Sequence, residues 1–159
     1  MRAPQPGDLA LTVHQPWADL IVSGAKDVEN RTWPVPSTLP FPFRLWIHAG
    51  LTIDSNPDAH RKWAEGAFPR LRLEVGVLLG SVTVTGCHHA DECRRVVDNP
   101  QEVVVGRDVY VSDFGRVLRC SAWAEPGVHH WQVASALPLE RPVPMRGRQR
   151  LWRITADDR

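Results

Sequence analysis

The chain has no long hydrophobic run and few cysteines, and each absence excludes a class of protein. No segment approaches the roughly 20 apolar residues that a membrane helix requires, and the first residues lack the apolar run of a secretory signal. Three unevenly spaced cysteines are too few for a disulfide framework. We therefore expect a cytoplasmic protein with reduced thiols that does not associate with a membrane.

The chain also lacks an excess of charge of either sign. Its 19 basic and 18 acidic residues give a formal net charge of +1, which argues against a broadly basic surface for nucleic acid. Any contact with nucleic acid must then use a local patch. A length of 159 residues with 43% hydrophobic residues predicts a single globular domain over 1–159. Seven tryptophans against one tyrosine are unusual, and tryptophan serves both cores and base-stacking sites.

The common cofactor and hydrolase motifs are absent too. There is no GxGxxG, P-loop, HExxH or GxSxG element. The stretch from Cys87 to Cys93 contains two histidines and suggests a zinc site, but it has no paired Cys-x-x-Cys. A zinc motif also needs a second group of ligands further along the chain, and Cys120 with His129 and His130 matches such a group only loosely. We expect no metal and no cofactor, with a divalent ion required only if the protein is a nuclease.

A strand, a short helix and a second strand are predicted near the start of the chain. Residues 9–13 read as a strand, and Pro16 suits the first turn of the helix that follows. Gly24 ends that helix. The apolar residues of the helix fall on one face, as expected for packing against a core: Trp17, Leu20 and Ile21. The helix is therefore short, and both of its ends are marked.

The rest of the pattern predicts further short strands, separated by long loops. The predicted strands are 27–33, 43–49, 75–86, 131–139 and 151–154. Helices are predicted from about Asn56 to about residue 68 and over 87–97, while 99–115 is polar and weakly patterned. Pro138, Pro142 and Pro144 predict a bend between the last two strands. Such short strands favour a small mixed barrel over a helical bundle.

Several short motifs together resemble those of ASCH domains, in the PUA-like superfamily. They are Gln15-Pro16-Trp17-Ala18, Gly24-Ala25-Lys26 with Glu29 and Arg31, Ile47-His48-Ala49 and, more loosely, Arg146-Gly147-Arg148. The resemblance implies the α+β class and a small PUA-like mixed β-barrel with two or three peripheral helices. It also implies a cleft beside the first helix. Members of the wider family have been assigned RNA binding, ribonuclease activity or hydrolysis of acyl groups from modified cytidine.

The resemblance also bears on three residues around the second strand. Lys26 falls where the amidohydrolase branch carries its catalytic lysine, and Arg31 falls where that branch keeps an arginine. Glu29 stands where that branch has a catalytic threonine, and its catalytic glutamate has only loose counterparts in Asp91 or Glu92. The resemblance therefore implies the hydrolase activity less strongly than it implies the fold.

Lys26, Glu29 and Arg31 are the candidate catalytic residues. The planar guanidinium of Arg31 suits a phosphate or carbonyl clamp. Lys26, once partly buried, would serve as a general base, with Glu29 either holding it in place or sharing the proton transfer. The alternative is a solvated strand face with a surface ion pair worth less than about 1 kcal/mol.

Further residues are candidates for substrate binding through stacking or polar contacts. They are His14, Gln15, Trp17, Trp33, Trp46, His48, His130 and Trp131. The alternatives are core packing for the tryptophans, helix capping for Gln15, and structural hydrogen bonds for the histidines. The favoured function is binding of RNA or of a modified nucleoside or nucleotide. A ribonuclease or a modified-cytidine amidohydrolase is the alternative, and a partner-binding domain with an unused cleft is a third.

Overall fold

The computed structural model describes residues 2–66, 73–94 and 120–158, and in these residues the chain forms one sheet with two α-helices. The strands are β1 (Leu9–Gln15), β2 (Val28–Arg31), β3 (Phe43–Ile53), β4 (Val77–His89), β5 (His129–Pro144) and β6 (Leu151–Arg153). The α-helices are α1 (Trp17–Val22) and α2 (Pro57–Glu65), and 3-10 turns span Ala90–Arg94 and Ala156–Asp158. The predicted α+β class is confirmed. The predicted polar stretch 99–115 lies outside the described residues, as do the ends predicted for the two later helices.

The six strands form a mixed sheet in the order β2-β5-β4-β3-β1-β6. Strands β1 and β3 run parallel, and the other neighbours are antiparallel. Among the described residues, β2 and β6 stand at opposite ends of the sheet and do not pair with each other. The predicted closed barrel is therefore not confirmed.

Apolar side chains cover both faces of the sheet because residues alternate along each strand. On β1, Leu11 belongs to the larger cluster, which includes Ile21 of α1, whereas its neighbour Ala10 belongs to a second cluster. On β3, Leu45 and Ile47 join the first cluster, and Trp46 between them joins the second. Helix α1 thus packs on one face and positions the residues that follow it.

The predicted boundaries of the first helix are close to those observed. Helix α1 starts directly after Pro16, and Gly24 takes a φ of +81°, the left-handed conformation expected at a helix end. At the start of α2, the Asn56 side chain accepts hydrogen bonds from the backbone N–H groups of Asp58 and Ala59. This is the capping that the sequence predicts.

Two predictions on the later strands are wrong. Strand β5 runs through Pro138 and Pro142 to Pro144, where a bend was expected. Strand β2 pairs only with residues 129–132, so beyond that point one side of β5 is an edge, where proline is tolerated. Residues 87–89 continue β4, where a helix was expected, because they pair in register with β5.

Candidate functional site

Lys26, Glu29 and Arg31 form one hydrogen-bonded network. The Lys26 ammonium lies 2.8 Å from Oε2 of Glu29 and also donates to the carbonyl of Val28. The Arg31 guanidinium lies 3.0 Å from the other oxygen, Oε1, and donates to the carbonyl of Thr12 at 3.1 Å. Lys26 is only 3% exposed and Glu29 only 7%. One carboxylate therefore holds two cations, and the network keeps one net positive charge.

The turn after α1 brings Lys26 into this network, although it precedes β2. The chain reverses at Gly24, and the backbone N–H of Lys26 donates to the carbonyl of Leu20 at 2.9 Å. The lysine then reaches forward to Glu29, three residues later. An uninterrupted strand would place these two side chains on opposite faces, so the glycine turn is what makes the contact.

The network lines a cavity of about 500 Å³, which we name the Glu29 cavity. Its lining residues are Thr12, Val13, His14, Trp17, Lys26, Glu29, Asn30, Arg31, Asn56, Asp58, Ala122, Trp123, Ala124 and Glu125. The rings of Trp17 and Trp123 meet edge to face at 5.8 Å. The size lies within the usual range for small-molecule sites, roughly 300–1,000 Å³.

Trp123 was missed by the sequence predictions, and the structure fixes it tightly. Its indole N–H donates to the carbonyl of Ala25 at 2.8 Å. The Asn30 side chain donates to the Trp123 carbonyl at 2.8 Å and accepts from the backbone N–H of Glu125 at 3.2 Å. The segment around Trp123 has neither strand nor helix periodicity, so a tryptophan in a turn was the only available signal.

A second cavity of about 650 Å³ adjoins the first, and we name it the arginine cavity. Its lining residues are Thr12, His14, Arg31, His48, Gly50, Leu51, Thr52, Gly76, Met145, Arg146, Gly147, Arg148, Gln149 and Arg150. The first three also line the Glu29 cavity, so the two cavities are neighbours that share these side chains.

The three later arginines of this cavity differ in their partners. Arg148 lies 2.7 Å from Asp158 and holds the pKa of that carboxyl at about 2. The guanidinium of Arg150 lies 5.7 Å from the ring centroid of Trp33. Arg146 and Arg150 are exposed, and no carboxylate lies within ion-pair distance of either one in the described part of the chain. These two charges are therefore available to an anion.

Two buried polar atoms on residues of the arginine cavity lack a hydrogen-bond partner within the described residues. They are Nε of Arg31 and Nδ1 of His48. Nε2 of His48 lies 2.9 Å from the carbonyl of Met145, which only accepts, so the ring proton sits on Nε2. Burial lowers the pKa of His48, against the weaker opposing effect of the Met145 carbonyl. The ring is thus neutral near pH 7, and Nδ1 is an acceptor.

A model of the ASCH domain family matches residues 11–142. The chain belongs to the ASCH domain family. It is 51% identical over 122 residues to activating signal cointegrator 1 of Homo sapiens, a match that covers 62% of this chain and 20% of that protein. It is also 49% identical over 43 residues to activating signal cointegrator 1 of Mus musculus, a match that covers 27% of this chain and 7% of that protein. The chain therefore spans a small part of the length of these relatives.

Solved ASCH structures from Zymomonas mobilis are also similar. One of them is 16% identical with a TM-score of 0.46, and the match covers 96% of this chain and 90% of that one. A mutant form of the Zymomonas protein is 15% identical with a TM-score of 0.49, and the match covers 96% of this chain and 93% of that one. Among the residues described for this ASCH domain, none of the helices has the length and apolar character of a membrane span.

Three predicted binding residues of this ASCH domain lie at or beside the cavities. His14 lines both cavities, and Trp17 lines the Glu29 cavity, with its indole N–H donating to Asp54 at 2.9 Å. His48 lines the arginine cavity.

Gln15 is fully buried and lines neither cavity. Its side chain accepts from the backbone N–H of Asp19, in the first turn of α1. Gln15 therefore has the capping role considered as its alternative.

Four other predicted residues lie outside both cavities. Trp131 is buried, and its ring meets that of Trp33 edge to face at 4.7 Å. Trp46 is buried in the second apolar cluster and donates to Asp8 at 3.1 Å. His130 is 2% exposed and contacts two cysteines. In this ASCH domain Trp46, Trp131 and His130 therefore lie in the interior, whereas Trp33 is half-buried.

Proposed function

We propose that this ASCH domain binds single-stranded RNA, with one base in the Glu29 cavity and neighbouring phosphates at the arginine cavity. The observation that carries the proposal is that the two cavities share Thr12, His14 and Arg31 as lining residues. One cavity offers aromatic walls and a polar network, and the other offers exposed guanidinium groups. A nucleotide joins a planar base to an anion, and single-stranded RNA exposes both.

The free donors of the Glu29 cavity favour bases that carry carbonyl oxygens. A lysine ammonium has three N–H donors, and Lys26 uses two of them on Val28 and Glu29. Nε of Arg31 is buried and has no hydrogen-bond partner among the described residues. Both oxygens of Glu29 already hold cations. Because donors remain and this carboxylate is engaged, we expect uracil, cytosine or guanine to bind more tightly than adenine.

Because the net charge of the chain is only +1, binding of nucleic acid requires a local positive patch, and the arginine cavity supplies one. Arg146 and Arg150 are exposed, whereas Arg148 is neutralised by Asp158. Arg31 lies where the two cavities meet. A guanidinium can hold a phosphate through two parallel hydrogen bonds. A few such contacts suit the binding of a short segment rather than a long strand.

The test is a titration of short fluorescent single-stranded RNA followed by anisotropy. We expect saturable binding that Trp123→Ala and Arg150→Ala both weaken. Arg44→Ala is the matched control, since Arg44 is exposed on β3 and lines neither cavity. DNA of the same sequence tests the contribution of the 2′-hydroxyl. Absence of binding, or an equal loss in the Arg44 variant, would overturn the proposal.

A hydrolase acting in the same cavity is the second candidate function. Lys26, Glu29 and Arg31 lie in direct contact, and together they offer a proton-transfer pair and a donor for a developing oxyanion. Lys26 donates two of its three N–H groups to Val28 and Glu29, so a role as base requires that the ammonium first lose its third proton.

Product analysis separates the hydrolase candidates from binding alone. The protein is incubated with RNA and with acylated cytidine, with and without a chelator. Shortened strands indicate a ribonuclease, and released acid indicates an amidohydrolase, and either activity must disappear in Lys26→Ala. Loss of cleavage on chelation would assign a divalent metal to the nuclease. Intact substrates in every arm would eliminate both activities.

A further inference from the structure

Four metal-binding side chains meet beside β5 at a place that neither the Glu29 cavity nor the arginine cavity includes. The ligand atoms of His88, Cys93, Cys120 and His130 all lie within 4.8 Å of one another. Nδ1 of His130 lies 3.3 Å from both sulfurs, and Nε2 of His88 lies 3.2 Å from the Cys93 sulfur. We propose that these four residues bind a structural zinc ion. The proposal departs from the expectation of a metal-free domain.

The spacing of the ligand atoms fits tetrahedral zinc. Zinc–sulfur bonds of about 2.3 Å and zinc–nitrogen bonds of about 2.0–2.1 Å place ligand atoms about 3.3–3.8 Å apart in a tetrahedron. The nitrogen–sulfur distances of 3.2–3.3 Å are close to that range. The most distant ligand atoms, up to 4.8 Å apart, would have to approach each other by about 1 Å to complete the tetrahedron.

The ring of His130 is already oriented for a metal. Its Nε2 lies 2.7 Å from the carbonyl of Glu125, which only accepts, so Nε2 carries the proton. The lone pair of Nδ1 then points at the sulfurs of Cys93 and Cys120. A hydrogen bond from the second ring nitrogen is what fixes the tautomer of zinc-bound histidines. The ring of His88 meets that of His130 edge to face at 5.3 Å.

Cysteine binds zinc as the thiolate. A bound dication would favour deprotonation of both Cys93 and Cys120.

Four protein ligands close the coordination sphere, which marks the site as structural rather than catalytic. The ligands come from β4, the 3-10 turn after it, the start of the segment 120–125, and β5. That segment carries Trp123, a wall of the Glu29 cavity. The ion would therefore fix one end of this wall, with Asn30 fixing the other through the Trp123 carbonyl.

The first test is the metal content of the intact chain, purified with a reductant and without chelators. Mass spectrometry of the dissolved metal should find about one zinc ion per chain, the stoichiometry of a four-ligand site. Cys93→Ser and His130→Ala should each lose most of it. Cys87→Ser and His89→Ala are the matched controls, because these residues neighbour His88 on β4 but do not belong to the cluster.

A second measurement keeps the proposal testable if the ligand variants fail to fold. Cobalt added to the zinc-depleted wild-type chain should give the visible absorption of a tetrahedral ion and a thiolate charge-transfer band. Wild-type protein that holds no zinc and takes up no cobalt would overturn the proposal. So would a Cys93–Cys120 disulfide that forms under reducing conditions. Neither readout involves RNA, so each result is independent of the proposed function.

Discussion

The ammonium of Lys26 and the carboxylate of Glu29 form a buried ion pair at 2.8 Å, and Arg31 shares the same carboxylate. Burying charges costs free energy, and the attraction between them often does no more than repay it. Such a pair is therefore weak evidence for stability. Its place at a cavity lined by two tryptophans instead supports the proposal that the charges serve a ligand.

Replacing the shared carboxylate should strongly destabilise the fold. In Glu29→Ala the Lys26 ammonium stays buried without its counterion, and we expect the free energy of unfolding to fall by about 3 kcal/mol. This is the lower end for breaking a buried pair, because the cavity admits water. Urea denaturation followed by tryptophan fluorescence measures the change.

The exposed pair on α2 provides the control for Glu29→Ala. Arg61 lies 2.9 Å from Asp58, and both side chains are highly exposed, at 63% and 71%. Arg61→Ala should cost less than about 1 kcal/mol. If both variants lost the same free energy, the Lys26–Glu29 pair would be no more important than a surface contact.

The sequence predicts those parts of the fold and site that depend on neighbours along the chain. Helix α1 lies between Pro16 and Gly24 as expected, and Lys26, Glu29 and Arg31 are close together in sequence. The parts that depend on strand register were not predictable. His88 meets His130 only because β4 pairs with β5 in one register, and no local spacing encodes that pairing.

The same reasoning explains why three predicted tryptophans lie outside the site. Alternation along β3 places Trp46 on the face opposite Leu45, but it does not say that this face is also covered. A second apolar cluster buries it there. Trp33 and Trp131 pack against each other across β2 and β5, a contact between residues far apart along the chain.

Trp123 should contribute to binding through its ring. Removing an aromatic platform costs about 1–3 kcal/mol for each stacked base, so Trp123→Ala should weaken RNA binding by a factor of about 5 to about 150. Trp123→Phe is the matched control, because it keeps a ring but loses the hydrogen bond to Ala25. It should retain most of the affinity, measured by anisotropy. Equal losses in both variants would indicate that Trp123 only supports the cavity wall.

The arginine cavity should determine how binding depends on salt. Each phosphate contact on a single strand contributes about 0.7 to the slope of log affinity against log salt. Arg146→Ala and Arg150→Ala should each reduce that slope by about this amount and weaken all sequences alike. Titrations between about 50 and about 200 mM salt measure the slope. Arg141→Ala, an exposed change on β5 outside both cavities, should leave it unchanged.

His48 should make the stability of the fold depend on pH. Burial lowers its pKa below the value of 6.5 for the unfolded chain, so around that pH the unfolded state binds more protons than the native state. Its contribution to stability is therefore complete above pH 6.5 and is lost as the pH falls toward the lower native pKa.

His48→Gln keeps a donor for the Met145 carbonyl but does not titrate. Urea denaturation of both proteins at about pH 7.5 and about pH 5.5 should show that the substitution costs less stability at the lower pH. An equal cost at both values would mean that burial does not lower the pKa of His48.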